Sequence, residues 1–231
     1  MYGLNATRVR LRGKKRRPTE AFDSTSRGLE RLPAIADPLF VDAGAHIGFF
    51  SFLFAQHGFR VLAFEPMASN RAAFRATCCL NRALCKRIRL LPYALGAHES
   101  ESCILRSSPD NVGNAKLKCG GTYKTGSCAA SHTGVCERAN STTLDAYFNI
   151  TNASIVPAIV KIDVEGRECL LLQGAGRFLS LHNPLVIQVE SNNAQSTACI
   201  KRIAATRGYG MQAGIMAQSP DHVLFLHKRP W

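Results

Sequence analysis

Short apolar runs alternate with stretches of helical periodicity along the chain from residue 38 onward. The apolar runs predict strands at residues 39–42, 60–65, 88–94, 159–163 and 185–190. The stretches between them predict helices at residues 47–57, 68–85, 168–178 and 197–207. Strands that are apolar on both faces are typical of a parallel sheet with helices on both sides. The pattern therefore predicts an α/β fold with a mainly parallel sheet.

The C-terminal part of the pattern differs from the rest. Two strand-like runs, at residues 209–215 and 222–227, follow Gly208 and enclose the turn signal Ser219-Pro220-Asp221. Adjacent strands joined by a short connection must run antiparallel. We therefore expect a seven-stranded sheet that ends in an antiparallel C-terminal hairpin, unlike the all-parallel plan of the dinucleotide dehydrogenases.

Helical periodicity is lost between residues 97 and 142, where Gly, Ser, Thr, Asn and Cys are frequent. A structureless loop of this length would be unusual in a compact domain. We expect a small β insertion after strand 3, with strands at residues 101–106 and 115–118 and a segment at 138–142 leading into a short helix at 144–148. Because ligands bind beyond the carboxyl ends of parallel strands, the insertion is the expected source of acceptor selectivity.

The chain has 231 residues and a formal charge of +13, which is unevenly distributed. Residues 1–31 contain nine Lys or Arg against Glu20, Asp23 and Glu30. We expect a flexible basic arm at 1–31 and one domain at 32–231. The arm is either a solvated tail or a contact for an anionic surface, and the absence of interleaved aromatic residues disfavours nucleic acid.

No run of the chain is apolar and long enough to span a bilayer, so the sequence as given predicts a soluble chain. Four asparagines, however, begin an Asn-X-Ser/Thr glycosylation pattern, more than the roughly one or two expected by chance. They are Asn5, Asn140, Asn149 and Asn152. The compartment is therefore open between the cytoplasm and a lumen, the latter with an anchor upstream of residue 1.

The nine cysteines divide into two groups by their neighbours. Five stand among apolar or helical residues and are expected to be small buried groups: Cys78, Cys79, Cys85, Cys169 and Cys199. Four lie in the insertion and are expected to form one or two disulfides in an oxidising lumen: Cys103, Cys119, Cys128 and Cys136. An odd total leaves at least one free thiol, and the spacing does not favour a structural zinc site.

A glycine-bearing turn follows the first predicted strand and is the strongest chemical signal. Its candidate cofactor-binding residues are Asp42, Gly44, Ala45, His46 and Gly48. Glycine allows a sharp turn and a close approach to a ligand, although such turns are also common without one.

An acid follows this turn at an informative distance. Glu65 ends the second predicted strand, 21 residues after Gly44, where an acid accepts hydrogen bonds from ribose hydroxyls. Pro66 and Ala94, at the ends of strands 2 and 3, complete the candidate cofactor set. The turn and the acid together predict an adenosine-containing cofactor, and they leave NAD open.

The segment Val160-Lys161-Ile162-Asp163-Val164-Glu165-Gly166-Arg167-Glu168 resembles the signature of the FkbM family of methyltransferases. The turn at residues 41–48 is similar to that family's first motif, and Phe64-Glu65-Pro66 to its second. Thr143-Leu144-Asp145 is similar to the leader before its fourth strand. The resemblance extends over residues 40–190 and omits the arm and the Cys-rich insertion.

The resemblance implies a Rossmann-like class I methyltransferase fold and S-adenosylmethionine as the cofactor. It also implies O-methylation of a hydroxyl, commonly on a sugar, a polyketide or a lipid-linked glycan. The protein would then have to align that hydroxyl with the methyl donor and remove its proton. Two other classes stay open: an NAD-dependent oxidoreductase, and a non-catalytic binding module that docks through its basic arm.

Three residues are candidates for catalysis: Asp163, Lys161 and His46. Asp163 and Glu190 end neighbouring strands, an arrangement similar to catechol-type methyltransferases, in which such acids hold Mg²⁺ or Mn²⁺. The same acids could instead orient substrate hydroxyls without a metal. The catechol-type base has no counterpart here, because Gly166 occupies its position. Lys161 is either a charge near the acceptor or an ion-pair partner of Asp163 or Glu165.

Overall fold

The computed structural model describes residues 37–99, 102–108, 111–120, 128, 134–150, 157–191, 193–213 and 222–228. The basic arm, the turn at 219–221 and the glycosylation patterns that begin at Asn5 and Asn152 lie outside the described residues.

The described strands and helices alternate along most of the chain. The strands are β1 Leu39–Ala43, β2 Arg60–Phe64, β3 Ile88–Leu91, β4 Tyr93–Leu95, β5 Ser102–Ser108, β6 Asn111–Cys119, β7 Cys136–Thr142, β8 Pro157–Ile162, β9 Val186–Ser191, β10 Tyr209–Ala213 and β11 His222–Lys228. The helices are α1 Phe49–Gln56, α2 Ala68–Leu80, α3 Arg82–Cys85, α4 Leu144–Ile150, α5 Glu168–Gln173, α6 Gly176–Leu181 and α7 Ala194–Thr206.

The larger of the two described sheets carries the cofactor turn. Its strand order is β10-β11-β9-β8-β1-β2-β3. The pairs from β9 to β3 are parallel, and β11 runs antiparallel to both of its neighbours, β9 and β10. The expected α/β fold with a mostly parallel sheet is confirmed.

The centre of this sheet is the core of the protein. Every residue of β1 and of β8 is buried, as befits strands covered on both faces. Apolar side chains from these strands and β9 pack against helices α5, α6 and α7 in one cluster, which includes Val41, Val160, Ile187, Leu171, Phe178 and Ile200. Each such side chain contributes about 1.5–3 kcal/mol on burial, so the strand ends that bear the functional residues are rigidly supported.

A second sheet, in the order β4-β7-β5-β6, contains the insertion and begins earlier than expected. The predicted third strand at 88–94 is wrong as one continuous element. It divides at Pro92, which lacks an N–H and cannot donate to a sheet ladder. Residues before Pro92 pair with β2, whereas Tyr93–Leu95 pairs with β7. Ala94 therefore belongs to the second sheet.

Two helices predicted as single elements are also divided. The predicted helix at 68–85 becomes α2 and α3, separated at Asn81. The predicted helix at 168–178 is interrupted at Gly174, where a Cβ would lie 2.2 Å from the carbonyl oxygen of Gly96. The close approach of that backbone both requires glycine and stops the helix.

The cysteines are paired more widely than expected. Two disulfides, Cys103–Cys119 and Cys128–Cys136, confirm the prediction for the insertion. The prediction that Cys78, Cys85, Cys169 and Cys199 are small buried groups is wrong, because all four are only half-buried, and they form the disulfides Cys78–Cys85 and Cys169–Cys199. Cys79 is a free thiol, but it is exposed rather than buried.

Candidate active site

The turn after β1 is held by its own backbone and by the end of β8. Gly44 has a φ of +82°, and a Cβ there would lie 1.7 Å from the carbonyl oxygen of Asp163. The N–H groups of Gly44 and Ala45 both donate to the carbonyl oxygen of Phe64, each at 3.0 Å. Only glycine fits so close an approach of two backbones, so Gly44 joins the ends of β1, β2 and β8.

Gly48 serves the packing of helices. Its φ is +98°, and a Cβ there would lie 2.6 Å from the ring of Phe74 and 2.7 Å from that of Phe52. The absence of a side chain lets α1 begin directly against α2. Gly48 is not among the residues that line the cavity described below.

Glu65 ties the end of β2 to the turn after β1. One carboxylate oxygen accepts the N–H of His46 at 2.8 Å, and the other accepts the N–H of Met67 at 2.8 Å and Nδ2 of Asn70 at 3.3 Å. Burial raises the pKa of Glu65, and these three donors oppose the rise. A carboxylate has about four acceptor sites, so Glu65 retains capacity for a ligand hydroxyl.

Lys161 lies at the centre of a buried charged cluster. Its Nζ is 3.1 Å from Asp163 Oδ2 and 3.6 Å from Asp42 Oδ1, and it donates to the carbonyl oxygen of Gly44 at 3.0 Å. The ring of Phe50 lies 5.2 Å from the same ammonium. Burial opposes the charged form, but Asp42 and Asp163 outweigh it and raise the pKa of Lys161. The structure thus shows the ion-pair alternative for this lysine.

The loop after β8 has an unusual backbone that a buried acid supports. Glu165 and Gly166 have φ values of +55° and +88°. The carboxylate of Glu168 accepts the N–H of Val164 at 3.2 Å and that of Gly166 at 2.9 Å. Because a left-handed conformation is costly for a residue other than glycine, these two hydrogen bonds help to fix the loop that carries Asp163 and Glu165.

These elements enclose a cavity of about 340 Å³, a size common for small-molecule and cofactor sites. Eight of the residues expected at the site line it: Gly44, Ala45, His46, Glu65, Pro66, Ala94, Lys161 and Asp163. His46 is exposed, with a φ of +52°, and its backbone N–H is held by Glu65.

Asp42 and Glu190 are not among the lining residues. Asp42 is completely buried beneath the turn, where it accepts the hydroxyl of Ser51 at 2.7 Å. Glu190 is half-buried on β9. In the described part of the chain, no three His, Cys, Asp or Glu side chains are grouped so that they could hold a metal ion. Since Asp163 is engaged by Lys161, the donor set does not fit the tentative Mg²⁺ or Mn²⁺ site at Asp163 and Glu190.

Sequence reasoning did not assign several other lining residues to the site. Five come from the second sheet: Tyr93, Leu95, Leu105, Ala115 and Leu117. Leu105 and Leu117 are directly paired across β5 and β6, and they pack with Met67 next to Glu65. The apolar run Cys103-Ile104-Leu105 favoured a buried strand, but the sequence does not say what that strand covers.

The other unassigned lining residues lie on or next to β2, β8 and the starts of α1 and α2: Phe49, Phe50, Phe64, Met67, Asn70, Val164 and Glu165. Phe49 is notable because 69% of its surface is exposed at the start of α1.

A sequence model of the methyltransferase FkbM domain matches residues 42–224 of the chain. Comparison with curated proteins gave no match. Among the described residues, no helix combines the length and apolar character needed to cross a membrane.

Several solved methyltransferase structures share the fold. That of methyltransferase FkbM from Methylobacillus flagellatus KT is 18% identical, with a TM-score of 0.56, over 85% of this chain and 45% of that one. The present chain thus spans less than half the length of that protein. A putative rRNA-methylase from Clostridium thermocellum is 10% identical, with a TM-score of 0.53, over 91% and 96% of the two chains. Magnesium protoporphyrin IX methyltransferase from Synechocystis PCC 6803, solved with bound S-adenosylmethionine, is 12% identical, with a TM-score of 0.51, over 91% and 78%.

Proposed function

The chain belongs to the FkbM family of methyltransferases, and on that premise we propose that it methylates a hydroxyl oxygen of a sugar, glycan or other polyhydroxylated acceptor. The family uses S-adenosylmethionine, and its fold is the one found here. One observation carries the proposal: a single cavity contains both the glycine turn with Glu65 and the carboxylates of Asp163 and Glu165.

The residues fit the cofactor at three points. Gly44 lacks the side chain that would narrow the turn, and Ala45 next to it is buried. Glu65, which already accepts three donors, has acceptor capacity for one ribose hydroxyl. Beside Glu65, the apolar cluster of Met67, Leu105 and Leu117 suits the flat adenine ring. We assign the turn to the methionine end of the cofactor and the second sheet to its adenine.

Transfer requires little more than alignment and removal of a proton. When bound, S-adenosylmethionine supplies a methyl group that its sulfonium already activates. The chain must hold the acceptor hydroxyl and accept its proton, and we assign this task to Asp163. Its side chain is about one-third exposed in the cavity, and the ammonium of Lys161 fixes one of its oxygens at 3.1 Å.

Lys161 is better suited to positioning than to acting as the base. Its raised pKa keeps it protonated at neutral pH, and its ammonium already contacts Asp42, Asp163 and the carbonyl oxygen of Gly44. His46 is exposed in the turn and is the second candidate for the base.

The acceptor side of the cavity combines acids with aromatic rings. Asp163 and Glu165 can each accept hydrogen bonds from hydroxyl groups. Phe49 and Phe50 offer apolar faces next to them, and their rings meet edge to face at a centroid distance of 5.3 Å. This mixture suits a molecule with several hydroxyls and apolar C–H faces, as in a sugar ring.

Calorimetry tests the cofactor assignment directly. The purified chain should bind S-adenosylmethionine and not NAD, and Glu65→Ala should abolish measurable binding. Glu99→Ala, at an exposed acid outside the cavity, is the matched control and should bind normally. Binding of NAD alone would refute the proposal.

A methyl-transfer screen read by mass spectrometry tests the acceptor. Glycans, lipids and small phenols are incubated with isotope-labelled cofactor, and labelled product is expected with the glycans. Exhaustive chelation should leave this activity unchanged, because Lys161 already engages the carboxylate of Asp163. Label on phenols only would contradict the proposed acceptor class.

A further inference from the structure

Disulfides occur in several parts of the described fold. Eight of the nine cysteines are paired, with Cα–Cα distances of 5.5, 4.1, 5.6 and 5.9 Å. Two bonds belong to the second sheet, one joins α2 to α3, and one joins α5 to α7. Disulfides therefore occur both in the second sheet and among the helices that cover the larger sheet.

Such pairing is typical of one kind of environment. Disulfides persist in oxidising compartments and on secreted proteins, whereas glutathione and thioredoxin keep cytosolic thiols reduced. In the Cys103–Cys119 bond, the two residues face each other in the register of β5 and β6. The antiparallel register of these strands thus holds the two cysteines close enough to be bridged.

A second observation concerns the glycosylation pattern Asn140-Ser141-Thr142 on β7. Asn140 is exposed, whereas its neighbours Ala139 and Ser141 are buried. Strand alternation therefore directs the amide of Asn140 away from the face on which Ala139 packs with Met67 and Leu105. Its register partners, Tyr93 and Ser102, are exposed as well.

We propose that this chain matures in an oxidising, glycosylating compartment and carries an N-linked glycan at Asn140. The new bond joins Nδ2 of Asn140 to C1 of a sugar. The C1–O bond to a lipid pyrophosphate carrier breaks, and the amide gives up a proton as the pyrophosphate leaves. In each disulfide, two thiols lose two protons and two electrons to an oxidised disulfide carrier, which becomes a dithiol.

The position of Asn140 is compatible with methyl transfer. Asn140 is not among the residues that line the cavity, and its side chain lies on the opposite face of β7 from Ala139. Its register partner Tyr93 lines the cavity, so a glycan there would cover the outer face of the second sheet next to the rim of the cavity. The proposal does not depend on the acceptor, and both of its readouts are masses.

Glycosylation is tested on the full chain secreted from a eukaryotic host behind a signal peptide. Release of the glycan by peptide N-glycosidase in ¹⁸O-water should convert residue 140 to labelled Asp. Asn140→Gln and Thr142→Ala should each remove this label, while Thr142→Ser, which retains the pattern, should keep it. An unmodified residue 140 in the folded, secreted protein overturns the assignment.

The thiols of the same secreted preparation are counted by alkylation and intact mass. In denaturant without reductant we expect one alkyl group, on Cys79, and after reduction we expect nine. If nine alkyl groups are added without reductant, and adding reductant leaves the melting temperature of the protein unchanged, the oxidising-compartment part of the proposal is overturned.

Discussion

The two sheets form opposite kinds of wall around one cavity. The larger sheet presents buried charge: Lys161 lies between Asp42 and Asp163, and Glu65 gathers three donors. The second sheet presents the apolar side chains of Leu105, Ala115 and Leu117, backed by a disulfide.

The two walls are stabilised by different interactions. Buried ion pairs have strict geometry and are costly to break, so the charged wall is fixed by the core itself. The second sheet has only a small apolar cluster, and its disulfides substitute for a core. Variants of the two walls should therefore fail in different ways.

The largest effect is expected from Lys161→Met. Removal of the ammonium leaves Asp42 completely buried without its charged partner, and breaking a buried pair costs about 3–5 kcal/mol. Urea denaturation should show a free energy of unfolding lowered by that amount, as a lower midpoint with an unchanged slope m. The control Lys118→Met, at an exposed lysine of β6, should change stability by less than about 0.5 kcal/mol. Equal stability of Lys161→Met and the parent would show that the ion pair of Lys161 with Asp42 does not stabilise the fold.

The disulfide of the second sheet should give the next largest effect. The double variant Cys103→Ala/Cys119→Ala opens a loop of 16 residues, and a loop of about 15 corresponds to about 3 kcal/mol. Hydrogen exchange should become faster in β5 and β6 but not in β1 and β8. Cys79→Ala, at the free exposed thiol, serves as control and should change neither sheet. If exchange rises equally in both sheets, the two walls are not independent.

A pH titration tests Glu65 within the charged wall. Burial raises its pKa above the ordinary value of 4.5, so protonation begins at a higher pH than in an exposed glutamate. Since ribose hydroxyls donate to the ionised form, cofactor affinity should fall as pH is lowered through this range. Stability of the ligand-free protein should change in the opposite direction, because an acid with a raised pKa is disfavoured in its charged form by folding.

The matched variant Glu65→Gln fixes the neutral form. Calorimetry should find its affinity about tenfold lower, the loss of about one charge-assisted hydrogen bond, and independent of acidic pH. Retention of the parent's pH profile in Glu65→Gln would assign the titration to another group.

Local sequence signals identified residues that the structure brings together in the cavity. Gly44 and Glu65 are defined by a turn after a strand and by a fixed spacing, and both line the cavity. Asp163 was among the ion-pair partners expected for Lys161, whereas Asp42 was not, because it lies on a different strand and only the β1–β8 pairing brings it to the lysine.

Tertiary contacts also explain the errors. Cys169 and Cys199 each stand among apolar residues, and nothing in the sequence says that α5 and α7 bring them together. Pro92 was visible in the sequence, but the apolar run on both sides of it concealed that two sheets share the segment.

The smallest effect on stability is expected from Leu117→Ala, a variant that also tests which ligand each wall contacts. Leu117 is half-buried, so its truncation should cost only about 1 kcal/mol of packing. It packs with Met67, whose N–H is held by Glu65, and we therefore expect a cofactor Kd raised severalfold with an unchanged acceptor KM. The counterpart Phe49→Ala, at the exposed ring beside the turn, should raise the acceptor KM and leave the cofactor Kd unchanged. If Leu117→Ala instead raises the acceptor KM and leaves the cofactor Kd unchanged, the second sheet contacts the acceptor, because a residue that contacts only the acceptor does not change the affinity for the cofactor.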